Sequence, residues 1–169
     1  TILKHLEKLP KYLDREKENE WNPEIIDKNI SKGFIISRGL GYALSTEISL
    51  KFKELSLELI EPFSSAEVMH GPKTLIDDSL KLFILNLNDA TGKNVKEGTK
   101  LFRQISDKIY FINSFEKDRN NFHFNSTKIV EIDSILLMSK FYPMIIKYSM
   151  LKGINPDKPR YLSKITKTL

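Results

Sequence analysis

Short apolar runs alternate with segments of helical periodicity along most of the chain. Five of the runs are rich in isoleucine, leucine and phenylalanine and are bounded by turn-forming residues, a pattern typical of buried strands. On this basis we predict strands at 33–37, 57–62, 80–87, 108–113 and 128–132. The polar and aromatic segment 114–126 is predicted to be a loop.

Helices are predicted between most of these strands. Leu44, Ile48 and Phe52 recur at the spacing of an amphipathic helix after the first strand. Gly153 is the expected C-terminal stop of the longest helix. Because apolar strands alternate with helices, we predict an α/β fold, a three-layer α/β/α sandwich with a five-stranded parallel sheet. Further helical segments are predicted at 2–17 (one helix or two short ones), 24–30, 72–77, 95–106 and 135–151.

The chain divides into three predicted segments. Its 169 residues correspond to one domain with a substantial core. Residues 33–153 are predicted to form that domain, and residues 1–32 to be an N-terminal helical linker segment that packs on it. Residues 154–169 are predicted to be a C-terminal tail, in which Pro156 and Pro159 exclude regular helix and favour an extended strap.

Composition and charge exclude several classes of function. The chain has no cysteine, which excludes a disulfide framework, a thiol nucleophile and thiolate-bound metals, and favours a reducing, cytoplasmic location. His5, His70 and His123 are too scattered in sequence for a histidine-rich metal site. The net charge of +5 is spread along the chain, which favours small anions over a nucleic-acid partner. No apolar run reaches the length of a membrane span.

Two glycines follow the first predicted strand. Ligands of such sheets bind at the carboxyl ends of the strands, and there Gly39 and Gly41 introduce a helix whose N-terminus offers free backbone N–H groups to a phosphate. A dinucleotide fingerprint is the rival interpretation, but Leu44 occupies its third glycine position. The glycines are equally compatible with a turn that requires positive φ or close packing. The loop 88–93 is expected at the same edge of the sheet.

Four charged or titratable residues are candidates for chemistry. Lys51 and Glu54 share a helix face, an arrangement that suits a general base, although the spacing alone favours a surface ion pair. His70 precedes Gly-Pro in a loop, where its imidazole either transfers protons near neutral pH or bonds only to its own backbone. Lys164 lies in the tail, where a lysine is either solvated or placed to form a Schiff base with a carbonyl substrate.

Three motifs occur in order along the chain. They are RGLGYALSTEISLKFKE at 38–54, SSAEVMHGP at 64–72 and NPDKPRYLSKITKTL at 155–169. Together they resemble the second sugar isomerase (SIS) domain of glucosamine-fructose-6-phosphate aminotransferases and of the related isomerase-type glucosamine-6-phosphate deaminases, over about residues 9–169. The resemblance implies the flavodoxin-like SIS fold, a three-layer sandwich with five parallel strands.

The same resemblance implies catalytic roles. Glu54 matches the glutamate that moves a proton between carbons 1 and 2 of the sugar, and Lys51 matches the lysine that assists it. His70 matches the histidine that opens the sugar ring in the site of a neighbouring subunit. Lys164 matches the lysine that forms an imine with the open-chain ketose. By the same resemblance, contacts to the substrate are expected from Arg38, Gly39, Gly41 and Glu67.

The resemblance also implies partners. A sugar phosphate is the implied substrate, with no cofactor and no metal ion, and neither nucleic acid nor a membrane is implied. The implied protein partners are an N-terminal SIS domain of the same chain and a second subunit in a homodimer, with His70 near the interface. The loop 88–93 lacks the S-x-S-G-x-T pattern of the family's phosphate loop, so we expect this chain alone to be inactive. Synthase and deaminase both remain open, and the alternative is a non-catalytic sugar-phosphate-binding or dimerisation module.

Overall fold

A computed structural model describes residues 2–115 and 120–161 of the chain. Its strands are β1 Lys32–Ser37, β2 Leu59–Ser64, β3 Lys81–Leu85, β4 Ile109–Asn113 and β5 Asn121–His123. Its α-helices are α1 Ile2–Glu7, α2 Leu9–Lys17, α3 Leu40–Lys51, α4 Gly92–Thr99 and α5 Val130–Leu151. A π-helical turn at Phe52–Ser56 continues α3, and short 3-10 turns lie at Pro23–Ile25, Glu67–His70, Pro72–Leu75 and Lys100–Gln104.

The predicted five-stranded parallel sheet is confirmed. Its order is β2-β1-β3-β4-β5, and every neighbouring pair is parallel. Alternate residues of β1 face opposite layers: Ile35 packs in the core beneath α3 and α5, whereas Phe34 and Ile36 pack with Val95 of α4. Both faces of the sheet are therefore covered by helices, which explains why β1 and β3 are near-continuous apolar runs in the sequence.

The last predicted strand is wrong. Residues 128–132 do not pair with the sheet, because Lys128 has φ +66 and α5 already begins at Val130. The helix begins early because the buried carboxylate of Asp133 accepts hydrogen bonds from the Thr127 backbone N–H at 2.6 Å and from the Ser126 hydroxyl at 2.5 Å. The fifth strand is instead Asn121–His123, inside the segment that was predicted to be a loop.

Other predicted boundaries also change. The helix predicted at 24–30 is only a 3-10 turn, because the carboxylate of Asp27 accepts from the Asn29 backbone N–H at 3.0 Å and closes a local turn. The second strand begins two residues later than predicted, after Leu57 with φ +56. The helix predicted at 95–106 begins at Gly92 and changes to a 3-10 turn at Lys100.

The predicted end of the longest helix is confirmed. Gly153 has φ +74, and the backbone N–H groups of Gly153 and Ile154 donate to the carbonyl oxygens of Met150 and Ser149 at 2.9 and 3.0 Å. Residues 154–161, the described part of the tail, do not form the predicted extended strap. They turn instead, because the Asn155 side chain accepts from the Asp157 backbone N–H at 2.9 Å.

The first helices lie against α5. The buried carboxylate of Glu16, in α2, is 3.3 Å from the ammonium of Lys140 and accepts from the Asn125 side-chain amide at 2.7 Å. The indole N–H of Trp21 donates to the His123 carbonyl oxygen at 2.6 Å. These contacts fix the N-terminal segment to the middle of α5 and to the edge strand β5.

A second group of charges is buried between the sheet and α5. Lys81 at the start of β3 has no exposed surface, and its ammonium donates to both carboxylate oxygens of Glu58 at 2.8 Å and to the Tyr148 hydroxyl at 2.6 Å. Tyr148 and Lys152 also donate to Glu58, at 2.7 and 2.6 Å. We name Glu58, Lys81, Tyr148 and Lys152 the buried ion cluster.

Burial decides the protonation of this cluster. Removal from water lowers the pKa of Lys81 to about 8, although its bonds to Glu58 oppose the shift. Burial, followed by the bond to Glu58, raises the pKa of Tyr148. The lysine therefore binds its proton less tightly in the folded chain than in the unfolded chain.

The loop that joins β1 to α3 needs both of its glycines. Gly39 has φ +59, a conformation that residues with a Cβ rarely adopt. A Cβ on Gly41 would lie 2.2 Å from the Ser37 hydroxyl oxygen and 2.9 Å from a methyl carbon of Leu85. The interpretation of a positive-φ turn with close packing is therefore confirmed, and helix α3 approaches β1 this closely because Gly41 lacks a side chain.

We predict that Lys81→Met changes the pH dependence of stability. Between about pH 8 and about pH 10.5 the unfolded chain binds more protons than the folded chain at this residue, so the free energy of unfolding should rise with pH. The methionine variant should lack that rise, whereas the variant of the exposed Lys11, Lys11→Met, should keep it. Urea unfolding at about pH 8 and about pH 10 measures this, and an equal rise in all three proteins would contradict a lowered pKa.

We predict that Gly41→Ala lowers the free energy of unfolding by about 1–3 kcal/mol, the usual cost of overpacking. The cost should fall when Ser37 is also replaced by alanine, because the closest obstacle to the new Cβ is the Ser37 hydroxyl. A double-mutant cycle by urea unfolding measures the coupling. The same cost in both backgrounds would show that this contact is not the cause.

Candidate functional site

The predicted catalytic pair is an ion pair at the end of α3. The ammonium of Lys51 lies 2.6 Å from a carboxylate oxygen of Glu54 and 3.7 Å from one of Glu47. The side chain of Lys51 is 24% exposed and that of Glu54 is 35% exposed, so solvent reaches both groups. The structure thus brings Lys51 and Glu54 together on a half-buried surface.

A π-helical turn carries Glu54. Phe52 and Ser56 of this turn are buried, and the Ser56 hydroxyl donates to the Phe52 carbonyl oxygen at 2.7 Å. The turn ends at Leu57 in the left-handed conformation. Glu54 is therefore presented from a segment that is anchored on both sides by buried residues. Such turns are rare and occur often at functional sites, and the amphipathic pattern of the sequence had predicted only regular helix here.

Hydrogen bonding keeps Lys51 charged. The bond to Glu54 raises the pKa of Lys51, and Glu54 and Glu47 add charge attraction. Tyr142 of α5 completes the group, since its hydroxyl donates to Glu47 at 2.9 Å. Tyr142 could not have been found from the sequence, because it lies 95 residues from Glu47 along the chain. A carboxylate held beside a permanent cation and open to solvent has the form of a proton acceptor.

Two predicted residues lie elsewhere, in the 3-10 turn after β2. The backbone N–H of Glu67 donates to the Ser64 hydroxyl oxygen at 3.0 Å, and its carboxylate accepts from the Ser64 backbone N–H at 3.4 Å. This reciprocal pair stabilises the start of the turn. His70 ends the turn and is exposed to solvent. The imidazole of His70 is thus presented outward from the chain.

The predicted site residues fall into two groups at opposite edges of the sheet. Ser37 and Ser64 are paired at the carboxyl ends of β1 and β2, so the glycine loop and the turn with His70 begin side by side. Helix α3 runs back to the amino end of β2, where Lys51 and Glu54 lie. Strands of six residues separate the two edges by about 20 Å. A substrate held by Glu54 is therefore out of reach of His70 in the same chain.

In the loop 88–93, the hydroxyl group of Thr91 is hydrogen-bonded within the loop. The Thr91 hydroxyl lies 2.7 Å from a carboxylate oxygen of Asp89, which also accepts from the Thr91 backbone N–H at 2.8 Å. Thr91 also approaches the Arg38 carbonyl oxygen at 3.4 Å, which joins this loop to the glycine loop. A carboxylate in the loop repels an anion, and the one hydroxyl donor is engaged. These contacts disfavour a phosphate at this loop.

The beginning of the tail lies beside the turn that carries Glu54. A cleft of about 620 Å³ is lined by Leu55 of the π turn, by Ile146 and Met150 of α5, and by the tail residues Gly153 to Asp157. The residues from 162 onward, including Lys164, lie outside the described part of the chain. The structure therefore brings the start of the tail to Glu54 and leaves the position of Lys164 a prediction.

The described residues form neither a metal-binding cluster nor a membrane span. Within residues 2–115 and 120–161, no group of three or more His, Asp or Glu side chains is arranged to hold a metal ion. In the same part of the chain, no helix is both long enough and apolar enough to cross a membrane.

Comparison with known proteins places the chain. No protein-family model matches it. It is 32% identical over 147 residues to glutamine–fructose-6-phosphate aminotransferase (isomerising) of Buchnera aphidicola, a match that covers 83% of this chain. It is 27% identical over 179 residues to the enzyme of the same name from Methanothermobacter thermautotrophicus, which covers 96% of this chain. The chain spans 23% and 29% of the lengths of these two relatives.

Solved structures share the fold. The C-terminal domain of glucosamine-fructose-6-phosphate aminotransferase from Francisella tularensis superposes with a TM-score of 0.71 at 16% identity and covers 92% of this chain. Glucosamine-6-phosphate deaminase from Thermotoga maritima superposes with a TM-score of 0.62 at 19% identity and covers 93% of this chain. This chain covers 46% of each of those chains. The resemblance seen in the sequence motifs is confirmed: the chain is homologous to a segment of the aminotransferases and has the fold of their C-terminal SIS domain.

Proposed function

We propose that this chain is the C-terminal SIS domain of an enzyme that interconverts fructose 6-phosphate and glucosamine 6-phosphate. The observation that carries the proposal is the Lys51–Glu54 pair, held at 2.6 Å where α3 continues into the π turn, within the motif that the sequence shares with the aminotransferases. The reaction is an aldose–ketose isomerisation coupled to the addition or the loss of ammonia. Both directions require the same proton transfer at the sugar.

In this proposal Glu54 moves the proton between carbons 1 and 2. The carboxylate removes the proton from one carbon and returns it to the neighbouring carbon, while Lys51 orients the carboxylate through their 2.6 Å contact. The Lys164 amine condenses with the ketose carbonyl and releases water, and the resulting imine lowers the barrier to removal of the adjacent proton. His70 of a second subunit transfers the proton that opens the sugar ring.

A second SIS domain would complete this site. The loop 88–93 engages its hydroxyl with Asp89, so the grip on the phosphate has to come from another domain. An apolar stripe runs along α5 beside the Lys51–Glu54 pair. Its residues are Tyr142, Ile146 and Met150, whose exposed fractions are 41%, 42% and 65%. The two solved structures with this fold have chains about twice as long as this one. An N-terminal SIS domain that packs on this stripe would bring its phosphate loop to Glu54.

We predict that Glu54→Gln in the full-length protein lowers turnover by about 100-fold or more, because the amide cannot accept the proton. The assay measures glucosamine 6-phosphate formed from fructose 6-phosphate with glutamine or ammonia, and ammonia released in the reverse direction. The matched control is Glu61→Gln, which removes the carboxylate of the nearby surface pair with Lys53 at 3.1 Å. The control should retain turnover, and full turnover by Glu54→Gln would refute the proposed role.

We also predict that two inactive variants restore activity when their subunits are mixed. If His70 acts in the site of the second subunit, a heterodimer of Glu54→Gln with His70→Asn contains one site with both native residues. With random exchange of subunits, half of the dimers are mixed, and one of the two sites in each mixed dimer is intact. About a quarter of native turnover should therefore return. Mixtures that stay as inactive as the separate variants would show that both residues act within one subunit.

A further inference from the structure

Lys152 makes an unusual pair of contacts at the end of α5. Its ammonium donates to the carboxylate of Glu58 at 2.6 Å and to the backbone carbonyl oxygen of Ser56 at 3.0 Å. Its side chain is 14% exposed, so these bonds lie below the surface. The partners are 94 and 96 residues away in sequence, which makes this a tertiary link and not a local helix cap.

This link connects the two segments of the chain that carry the proposed catalytic residues. Ser56 is the last residue of the π turn that carries Glu54, and Glu58 follows two residues later. On the other side, Lys152 directly precedes Gly153, the residue that ends α5 and leads into the tail. One side chain therefore ties the turn with the proposed base to the start of the segment that carries Lys164.

The stability of the buried ion cluster does not require this link. Both carboxylate oxygens of Glu58 already accept from Lys81, and the Tyr148 hydroxyl donates to the same carboxylate. A buried carboxylate with these partners is satisfied. A second lysine adds a positive charge that must itself be partly removed from water, which is costly. The contact with Ser56 is the one that no other side chain of the cluster makes.

We propose that Lys152 is a positioning residue that holds the start of the tail at a fixed distance from the Glu54 turn. This inference rests on the proposed function, because it assumes that the tail brings Lys164 to the sugar bound at Glu54. Leu55 and Gly153, the chain neighbours of Ser56 and Lys152, line the same cleft. Release of Lys152 would let the tail shift relative to Glu54, and misplacement of reacting groups by about 1 Å can cost about 100-fold in rate.

The first test is kinetic and uses the full-length protein. Lys152→Met removes the ammonium and keeps most of the length of the side chain. We expect kcat to fall about tenfold or more with KM for the sugar phosphate unchanged, because the phosphate is gripped elsewhere. Borohydride trapping of the substrate imine on Lys164, followed by mass spectrometry, should fall in parallel. Lys152→Arg, which can keep both hydrogen bonds, should recover part of the loss.

The matched control is Lys147→Met. Lys147 lies on the same helix, pairs with Glu20 and does not take part in the buried ion cluster. The Lys147→Met variant should leave kcat and imine trapping unchanged. A kcat for Lys152→Met equal to that of Lys147→Met would overturn the proposal. So would a lower kcat with unchanged imine trapping, because the tail would then still reach the substrate.

A second test needs no activity and uses the 169-residue chain itself. The backbone N–H groups of Gly153 and Ile154 are bonded within the last turn of α5, and their hydrogen exchange reports opening of the tail start. Lys152→Met should accelerate this exchange about tenfold, while Lys147→Met should not. Unchanged exchange would overturn the inference about Lys152, whatever the activity of the native protein. If the native full-length protein converted neither sugar phosphate, only the proposed function would be defeated.

Thermal unfolding shows whether each variant is folded. If Lys152→Met does not fold, Lys152→Gln replaces it in both tests. The glutamine amide can still donate a hydrogen bond, but it is too short to reach both Glu58 and Ser56 as the ammonium does. The same losses of kcat, imine trapping and exchange protection are expected, and their absence overturns the proposal in the same way.

Discussion

A helix that joins two parallel strands has to run back along the sheet, and this constraint governs where the chemistry of the chain lies. Helix α3 starts at the glycine loop, at the carboxyl end of β1, and ends near the amino end of β2. Gly41 allows the helix to lie close on β1. The Lys51–Glu54 pair is consequently about 20 Å from His70 within one chain. The proposed reaction, which uses both groups, therefore requires His70 from a second subunit.

Glu58 connects that geometry to the rest of the fold. It lies between the π turn and β2, and its carboxylate accepts bonds from β3 through Lys81 and from α5 through Tyr148 and Lys152. Removal of Lys81 would leave the buried charge of Glu58 without its full set of partners, which is far more costly than loss of a surface ion pair. The turn that carries Glu54 is therefore held by strong interior contacts, although Glu54 itself faces solvent.

The sequence predicted the sheet better than the site. The runs that became β1 and β3 were recognisable because both of their faces are buried. Strand β5 was missed because it has only three residues, two of them polar, and the apolar run after it enters helix α5 through the cap at Asp133. Lys51 and Glu54 were found by spacing and resemblance. Their surroundings could not be found, since Tyr142 and Lys152 meet this region from about 95 residues away.

The central claim is that Glu54 moves a proton between adjacent carbons of the sugar. Its most direct test is the reaction of fructose 6-phosphate in deuterium oxide, followed by NMR of carbon 2 of the glucosamine 6-phosphate formed. A carboxylate that exchanges its proton with solvent should place deuterium at carbon 2 in the native full-length protein, and none should appear with Glu54→Gln. Incorporation at the native rate by that variant would contradict the account.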